Sequence, residues 1–184
     1  IRDADAYVGT PSREVFLAAR KLRWIHAPGT GIEAVATVSE IVSSDVVVTN
    51  ARGPHTTSMA DHVFAMMLTF AHRLRDLWAD QQVHRWDNRK YHDKYVELSG
   101  STMGILALGG IGTAVARRAH GFGMDVYAVD IRPAPCPPEV KAIWGLERLD
   151  DLVRASDWLV VTAPITHQSR NLLDRRRLGL MKPT

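Results

Sequence analysis

The residues best placed to do chemistry lie between Gly104 and Asp130, in the run GILALGGIGTAVARRAHGFGMDVYAVD. An apolar strand pattern runs into Ala107-Leu108-Gly109-Gly110-Ile111-Gly112, and a helix-like segment rich in small residues follows directly. At such a turn the first N–H groups of the helix, here those of Gly110, Ile111 and Gly112, have no intrahelical partner. They sit at the positive end of the helix dipole, a place that suits a diphosphate. Gly109 lacks a Cβ, so a phosphate can approach its backbone closely, and Gly112 lets the helix close onto the strand. Asp130 ends the next strand pattern, eighteen residues past Gly112. A carboxylate about 20 residues on accepts hydrogen bonds from the ribose hydroxyls of a dinucleotide and repels a 2′-phosphate. The spacing predicts a site that favours NAD(H) over NADP(H), with Arg132, two residues on, softening the preference. The usual pattern is G-x-G-x-x-G, and its first position is Ala107 here. Alanine serves that turn if its φ stays negative.

These groups need a βαβ frame, and the rest of the chain supplies its rhythm. Apolar runs at Ala6–Gly9, Leu22–His26, Asp45–Thr49, Met103–Leu108, Asp125–Asp130 and Trp158–Thr162 predict buried parallel strands. Helices are predicted over Ser12–Arg20, Gly31–Ala36, Ser58–Arg75, Ile111–His120 and Leu149–Ala155. In the longest, Met59, Val63, Met66, Met67, Phe70 and Leu74 form one stripe of period 3.6, with Ser58 as N-cap and Asp61 at the third helical position. Residues 76–100 read as a helix continuation and an exposed loop, and RPAPCPPE as a proline-rich connector. Arg117 and Arg118 read as a solvated helix face. The fold expected is α/β, with a Rossmann-type doubly wound parallel sheet in residues 50–184 and part of a flavodoxin-like α/β substrate domain in residues 1–49. Numbering the strands at 103–108, 125–130 and 158–162 as the first three of the 3-2-1-4-5-6 order leaves strand 1 an open edge. That predicts further strands beyond Thr184.

Composition narrows the classes. The chain has 184 residues, 46% apolar and 23% charged, which excludes a disordered or collagen-like polypeptide. A net charge of +3, spread along the chain, gives no nucleic-acid footprint. The longest apolar-rich run, Val63 to Ala71, falls short of a membrane span. The single cysteine, Cys136, excludes a disulfide framework and a cysteine-built metal site, and it fits a cytoplasmic protein. The first residues carry no signal-peptide pattern, and no metal is expected.

Beyond the glycine turn, five motifs in order resemble the D-isomer-specific 2-hydroxyacid dehydrogenase family. They are LRWIHAPGTGIE, DVVVTNARG followed by ADH at Ala60–His62, LSGSTMGILALGGIG, SDWLVVTAPITHQSRNLLD and LGLMKPT, covering nearly all of Leu22–Thr184. Asp61 stands where the family more often has Glu. The resemblance implies an NAD-dependent oxidoreductase that interconverts a D-2-hydroxy acid and a 2-oxo acid by hydride transfer in a cleft that closes on substrate. It also implies a homodimer formed through residues 58–100.

Carried onto this sequence, the resemblance places Thr30 and Gly31 where substrate and nicotinamide meet, and His55 facing the substrate. Gly110 and Ile111 hold the diphosphate, Asp130 the ribose, and Pro164 and Thr166 line the cofactor cleft. The family's catalytic arginine, acidic residue and histidine match nothing in this chain and are expected beyond Thr184. An alternative on the same scaffold is an NAD(H)-sensing interaction module like the family's C-terminal-binding corepressors. A Rossmann methyltransferase is a weaker third reading, since its loop is usually G-x-G-x-G and it needs no P-x-T strand end.

Overall fold

A computed structural model describes residues 1–132, 135–166 and 168–183 of the chain. Pro133 and Ala134 of the proline-rich connector, His167 of the APITHQS segment, and Thr184 lie outside the described residues. The chain divides into two compact units, Ile1–His55 and Thr56–Thr184.

The first unit runs β1 (Ala6–Val8), α1 (Arg13–Ala18), β2 (Trp24–Ala27), α2 (Glu33–Ala36), α3 (Ser39–Val42) and β3 (Val47–Asn50). Its strands form a parallel sheet in the order β1-β2-β3, with Ile25 level with Tyr7 and Val48. Strand alternation buries Ile25 and Ala27 with Leu22, Val35 and Ile41. Val8, Trp24 and Val47, on the opposite face, are exposed. Ser12 caps α1, its hydroxyl accepting the Val15 N–H at 3.3 Å.

The second unit holds α4 (Thr56–Ala71), α5 (Leu74–Gln82), β4 (Thr102–Leu106), α6 (Gly110–Gly121), β5 (Asp125–Val129), β6 (Ala142–Trp144), α7 (Leu149–Ala155), β7 (Trp158–Val161) and α8 (Arg175–Leu178). Its strands are parallel in the order β6-β5-β4-β7. Met103, Ile105, Val126 and Ala128 bury one sheet face with Phe64 and Met67 of α4 and Val115, Ala116 and Ala119 of α6. Leu106 and Val129 bury the other with Leu149, Leu152 and Val153 of α7. Helices on both faces of a parallel sheet make a doubly wound α/β unit.

Three expectations are corrected. The strand at 158–161 pairs directly with β4, and the three-residue β6 occupies the outer position beyond β5. The central strand is therefore paired on both sides, and the open-edge argument fails. The short segment Ala142-Ile143-Trp144 is only half-buried and carries no apolar alternation that would mark it as a strand. Second, α4 begins at Thr56, so Ser58 lies inside the helix, which stops at Ala71. Arg73 takes a left-handed φ of 53° before α5, and no glycine or proline announces the break. Third, the buried face of α4 is Ala60, Phe64, Met67 and Ala71, whereas Met59, Met66 and Phe70 are exposed. The fully buried Ala60 and Ala71 are small residues in the α4 face of the core, a packing need that the weight of large apolar side chains obscures.

Candidate functional site

The chemistry predicted from spacing converges on the carboxyl ends of β4, β5 and β7. The chain leaves β4 through Ala107, whose N–H donates to the Val129 carbonyl at 2.8 Å. The φ of Ala107 is +74°, so the expectation of a negative φ is wrong: the alanine sits in the left-handed region that favours glycine. Gly109 is the N-cap of α6 in extended backbone, and its carbonyl accepts the Thr113 N–H at 2.9 Å. A Cβ at Gly109 would meet no atom within 4 Å, so the space before the helix N-terminus is open to a ligand. At Gly112 the reverse holds. A Cβ there would press into the Ala107 carbonyl and lie 3.0 Å from Thr162 Oγ1 and 3.2 Å from Ile105 Cγ2.

Asp130 follows β5 and turns toward this corner. Its Oδ2 accepts the Leu108 N–H at 2.7 Å, and its Oδ1 accepts the Arg132 N–H at 2.9 Å. A carboxylate offers about four lone-pair sites, so two such bonds leave acceptor capacity for hydroxyl donors. Arg132 is exposed. Beyond β7, Ser169 Oγ donates to the Pro164 carbonyl at 2.7 Å and accepts the Thr166 N–H at 2.8 Å, while Thr166 Oγ1 accepts the Ser169 N–H at 3.1 Å. This closed turn holds Pro164 and Thr166 at the surface, beside a cleft of about 370 Å³ lined by Leu106, Val161, Pro164 and Leu172.

In the first unit, the loop after β2 is laced to the end of β3. Asn50 Nδ2 donates to the Thr30 carbonyl at 2.6 Å, and the Ala51 N–H is shared by the Ala27 and Gly29 carbonyls at 3.1 Å each. Thr30 and Gly31 are thereby fixed in an exposed loop, and His55 is exposed at the end of the unit. Thr30 Oγ1 reaches the Ala51 carbonyl at 3.5 Å.

Sequence reasoning missed three contributors. Thr162, one residue past β7, donates from Oγ1 to the Ala107 carbonyl at 2.6 Å. Its signal was a polar residue closing the apolar run WLVV, two positions before Pro164. Thr56 lies beside the turn, its Oγ1 3.6 Å from where a Gly110 Cβ would stand. Arg118 is also not a plain solvated residue. Its Nε donates to Asp61 Oδ1 at 2.7 Å and its Nη2 to the Thr57 carbonyl at 3.4 Å, tying the start of α4 to α6. Arg117 is exposed, with Glu139 3.6 Å away. Among the described residues, no cluster of His, Cys, Asp and Glu could hold a metal ion, and no helix is long and apolar enough to cross a membrane.

A parallel sheet wound on both faces, with a glycine turn and an acid at the carboxyl ends of adjacent strands, defines a dinucleotide-binding unit of the Rossmann type. Residues 64–184 match the family model described as D-isomer specific 2-hydroxyacid dehydrogenase, NAD binding domain. The chain belongs to that family, as its motifs implied. It is 32% identical to a D-3-phosphoglycerate dehydrogenase of Methanocaldococcus jannaschii over 189 residues, covering 99% of this chain and 35% of that one. It is 34% identical to a glyoxylate reductase of Thermococcus kodakarensis over 196 residues, covering 100% of this chain and 57% of the relative. Among solved structures, a D-isomer specific 2-hydroxyacid dehydrogenase from Xanthobacter autotrophicus, in complex with NADPH and MES, superposes with a TM-score of 0.78 at 26% identity. That match covers 95% of this chain and 54% of the other. The chain thus spans between about a third and three fifths of the length of these relatives.

Proposed function

We propose that this protein interconverts a D-2-hydroxy acid and a 2-oxo acid, with NAD(H) bound at the corner that joins β4 to α6. The observation that carries this reading is the 2.7 Å bond between Asp130 Oδ2 and the Leu108 N–H, which brings the ribose-selecting carboxylate against the glycine turn. The N–H groups of Gly110, Ile111 and Gly112 take the diphosphate beside the open backbone of Gly109. Asp130 accepts the ribose hydroxyls, Arg132 flanks it, and Pro164 and Thr166 border the cofactor from the end of β7. NAD supplies the hydride acceptor for the hydroxy acid and, reduced, the donor for the oxo acid. Residues 50–184 make up the cofactor domain, and residues 1–49 belong to the substrate domain. Thr30 and Gly31 serve substrate and nicotinamide, and His55 the substrate. We assign no catalytic residue within residues 1–184. The relatives point to small acids as substrates, a 2-oxo acid of the glyoxylate type or a 2-hydroxy acid of the phosphoglycerate type.

The partner we infer is a second copy of the chain, seated on residues 58–100. Support comes from the exposed side chains of Met66, Phe70, Trp78 and Trp86, an unusual share of apolar surface for one segment. The single cysteine, Cys136, supports a reducing cytoplasmic setting.

The test is a fluorescence titration of the chain with NADH and with NADPH. NADH binds more tightly, and D130A weakens NADH by about tenfold or more, because a charge-assisted hydrogen-bond acceptor is lost. Tighter binding of NADPH, or undiminished binding by D130A, overturns the role given to Asp130.

A further inference from the structure

The first position of the glycine turn is an alanine held in a conformation that alanine disfavours, so something must hold it there. Left-handed backbone at a non-glycine residue persists only where the surroundings over-determine it. Around Ala107 two contacts do so. Its N–H is taken by Val129 on the neighbouring strand at 2.8 Å. Its carbonyl is taken by the Thr162 hydroxyl at 2.6 Å, from the far side of β4. Thr162 is itself anchored, its own N–H donating to the Leu106 carbonyl at 3.0 Å. The same hydroxyl and the same carbonyl form the floor on which Gly112 rests, since a Cβ at Gly112 would run into both.

We propose that Thr162 is a positioning residue for the diphosphate-binding turn. Its hydroxyl fixes the orientation of the Ala107 peptide, and with it the path that sets the N–H groups of Gly110, Ile111 and Gly112, offsetting the alanine where a glycine is usual. Thr162 does not touch the ligand; it acts through Ala107. The carbonyl of Ala107 points the way a left-handed residue must point it. Without the hydroxyl, relaxation of Ala107 toward negative φ turns that peptide and swings the amides that follow. A glycine occupies the left-handed region without this cost and needs the hold less. Thr162 and Ala107 therefore form an energetically coupled pair, and the sign of the coupling is set: the hydroxyl matters more when residue 107 is alanine. This proposal rests on the reading that the turn binds a dinucleotide.

The experiment is a double-mutant cycle on the full chain, with NADH affinity and thermal unfolding measured for wild type, T162V, A107G and A107G/T162V, and T162S as the conservative variant. One hydrogen bond of this kind corresponds to about a three- to tenfold change in affinity. T162V weakens NADH binding by that factor, while T162S stays within about twofold of wild type. In the A107G background the same T162V change costs less than about twofold. A merely structural role moves the unfolding temperature equally in both backgrounds and leaves no coupling in affinity. Equal NADH losses in the two backgrounds, or unchanged affinity in T162V when wild type binds NADH, overturn the proposal alone. No NADH binding by folded wild type overturns the dinucleotide reading and this proposal with it.

Discussion

At the corner of residues 107–112, backbone groups find their partners at the ends of two different strands: Val129 and Asp130 at the end of β5, and Thr162 just past β7. Across residues 74–95 the arrangement is the reverse. There one buried carboxylate, Asp80, gathers side chains from the loop that follows it. The Tyr91 hydroxyl donates to Asp80 Oδ2 at 2.7 Å, Lys90 Nζ approaches both oxygens at 3.0 and 3.2 Å, and Arg85 Nη1 lies at 3.5 Å. Trp78, Val83 and Trp86 stand exposed around this knot. The corner is thus held from the ends of β5 and β7 together. A segment tied by one carboxylate can open as a unit when that carboxylate is removed or neutralised.

The sharpest way to break the corner is G112V. A Cβ there already runs into the Ala107 backbone carbonyl and Thr162, and valine adds two methyl groups to it. We expect a loss of about 2–3 kcal/mol of stability, the cost of overpacking a closed site, together with loss of NADH binding. Urea unfolding and NADH titration measure the two effects. A stable, binding-competent variant would mean that α6 can lift from β4, contrary to the close fit seen at Gly112.

D80N tests whether residues 74–95, tied together by that carboxylate, are an arm that opens independently of the corner. Tyr91 and Lys90 hold the Asp80 carboxyl below the ordinary carboxylate range. For a depressed carboxylate, the stabilisation is fully present above the unfolded value near pH 4 and is lost as pH falls through the lower folded value. The arm should therefore loosen in wild type only on the acid side of about pH 4, and in D80N already at pH 7. Hydrogen exchange of residues 83–95 is expected to quicken about tenfold in D80N at pH 7, with exchange at the corner unchanged. Equal acceleration in both regions would show that they open together.

The same contrast explains what could be read from the residues alone. The glycine turn and Asp130 were legible because their function rests on spacing along one continuous βαβ segment, and α7 was legible from an ordinary apolar period. Thr162 is not, because its role depends on β7 lying beside β4, whereas the strand pattern sets residues 158–162 beyond residues 125–130. The place beyond β5 is taken by β6, a half-buried three-residue strand after a proline-rich connector that no apolar run marks. The Asp80–Tyr91 bond spans eleven residues without any repeat to mark it. The buried face of α4 is hard to read because Met59, Met66 and Phe70 outweigh Ala60 and Ala71 in any count of apolar bulk, whereas close packing rewards the small residues.

The smallest expected effect is also the cleanest probe of the corner. Ala107 at φ +74° carries roughly 1 kcal/mol of left-handed strain. A107G removes it, but the glycine also frees the unfolded chain by roughly half that amount. The net expectation is a gain of about 0.5 kcal/mol, a rise of about 1–2 °C in the unfolding midpoint for a chain of this length. Arg73, at a φ of 53°, supplies the control, because there a left-handed residue joins the end of α4 to the start of α5. If A107G lowered stability instead, the alanine would be at ease where it stands. The contacts from Val129 and Thr162 would then be ordinary ladder and side-chain bonds, with no strained turn for them to hold.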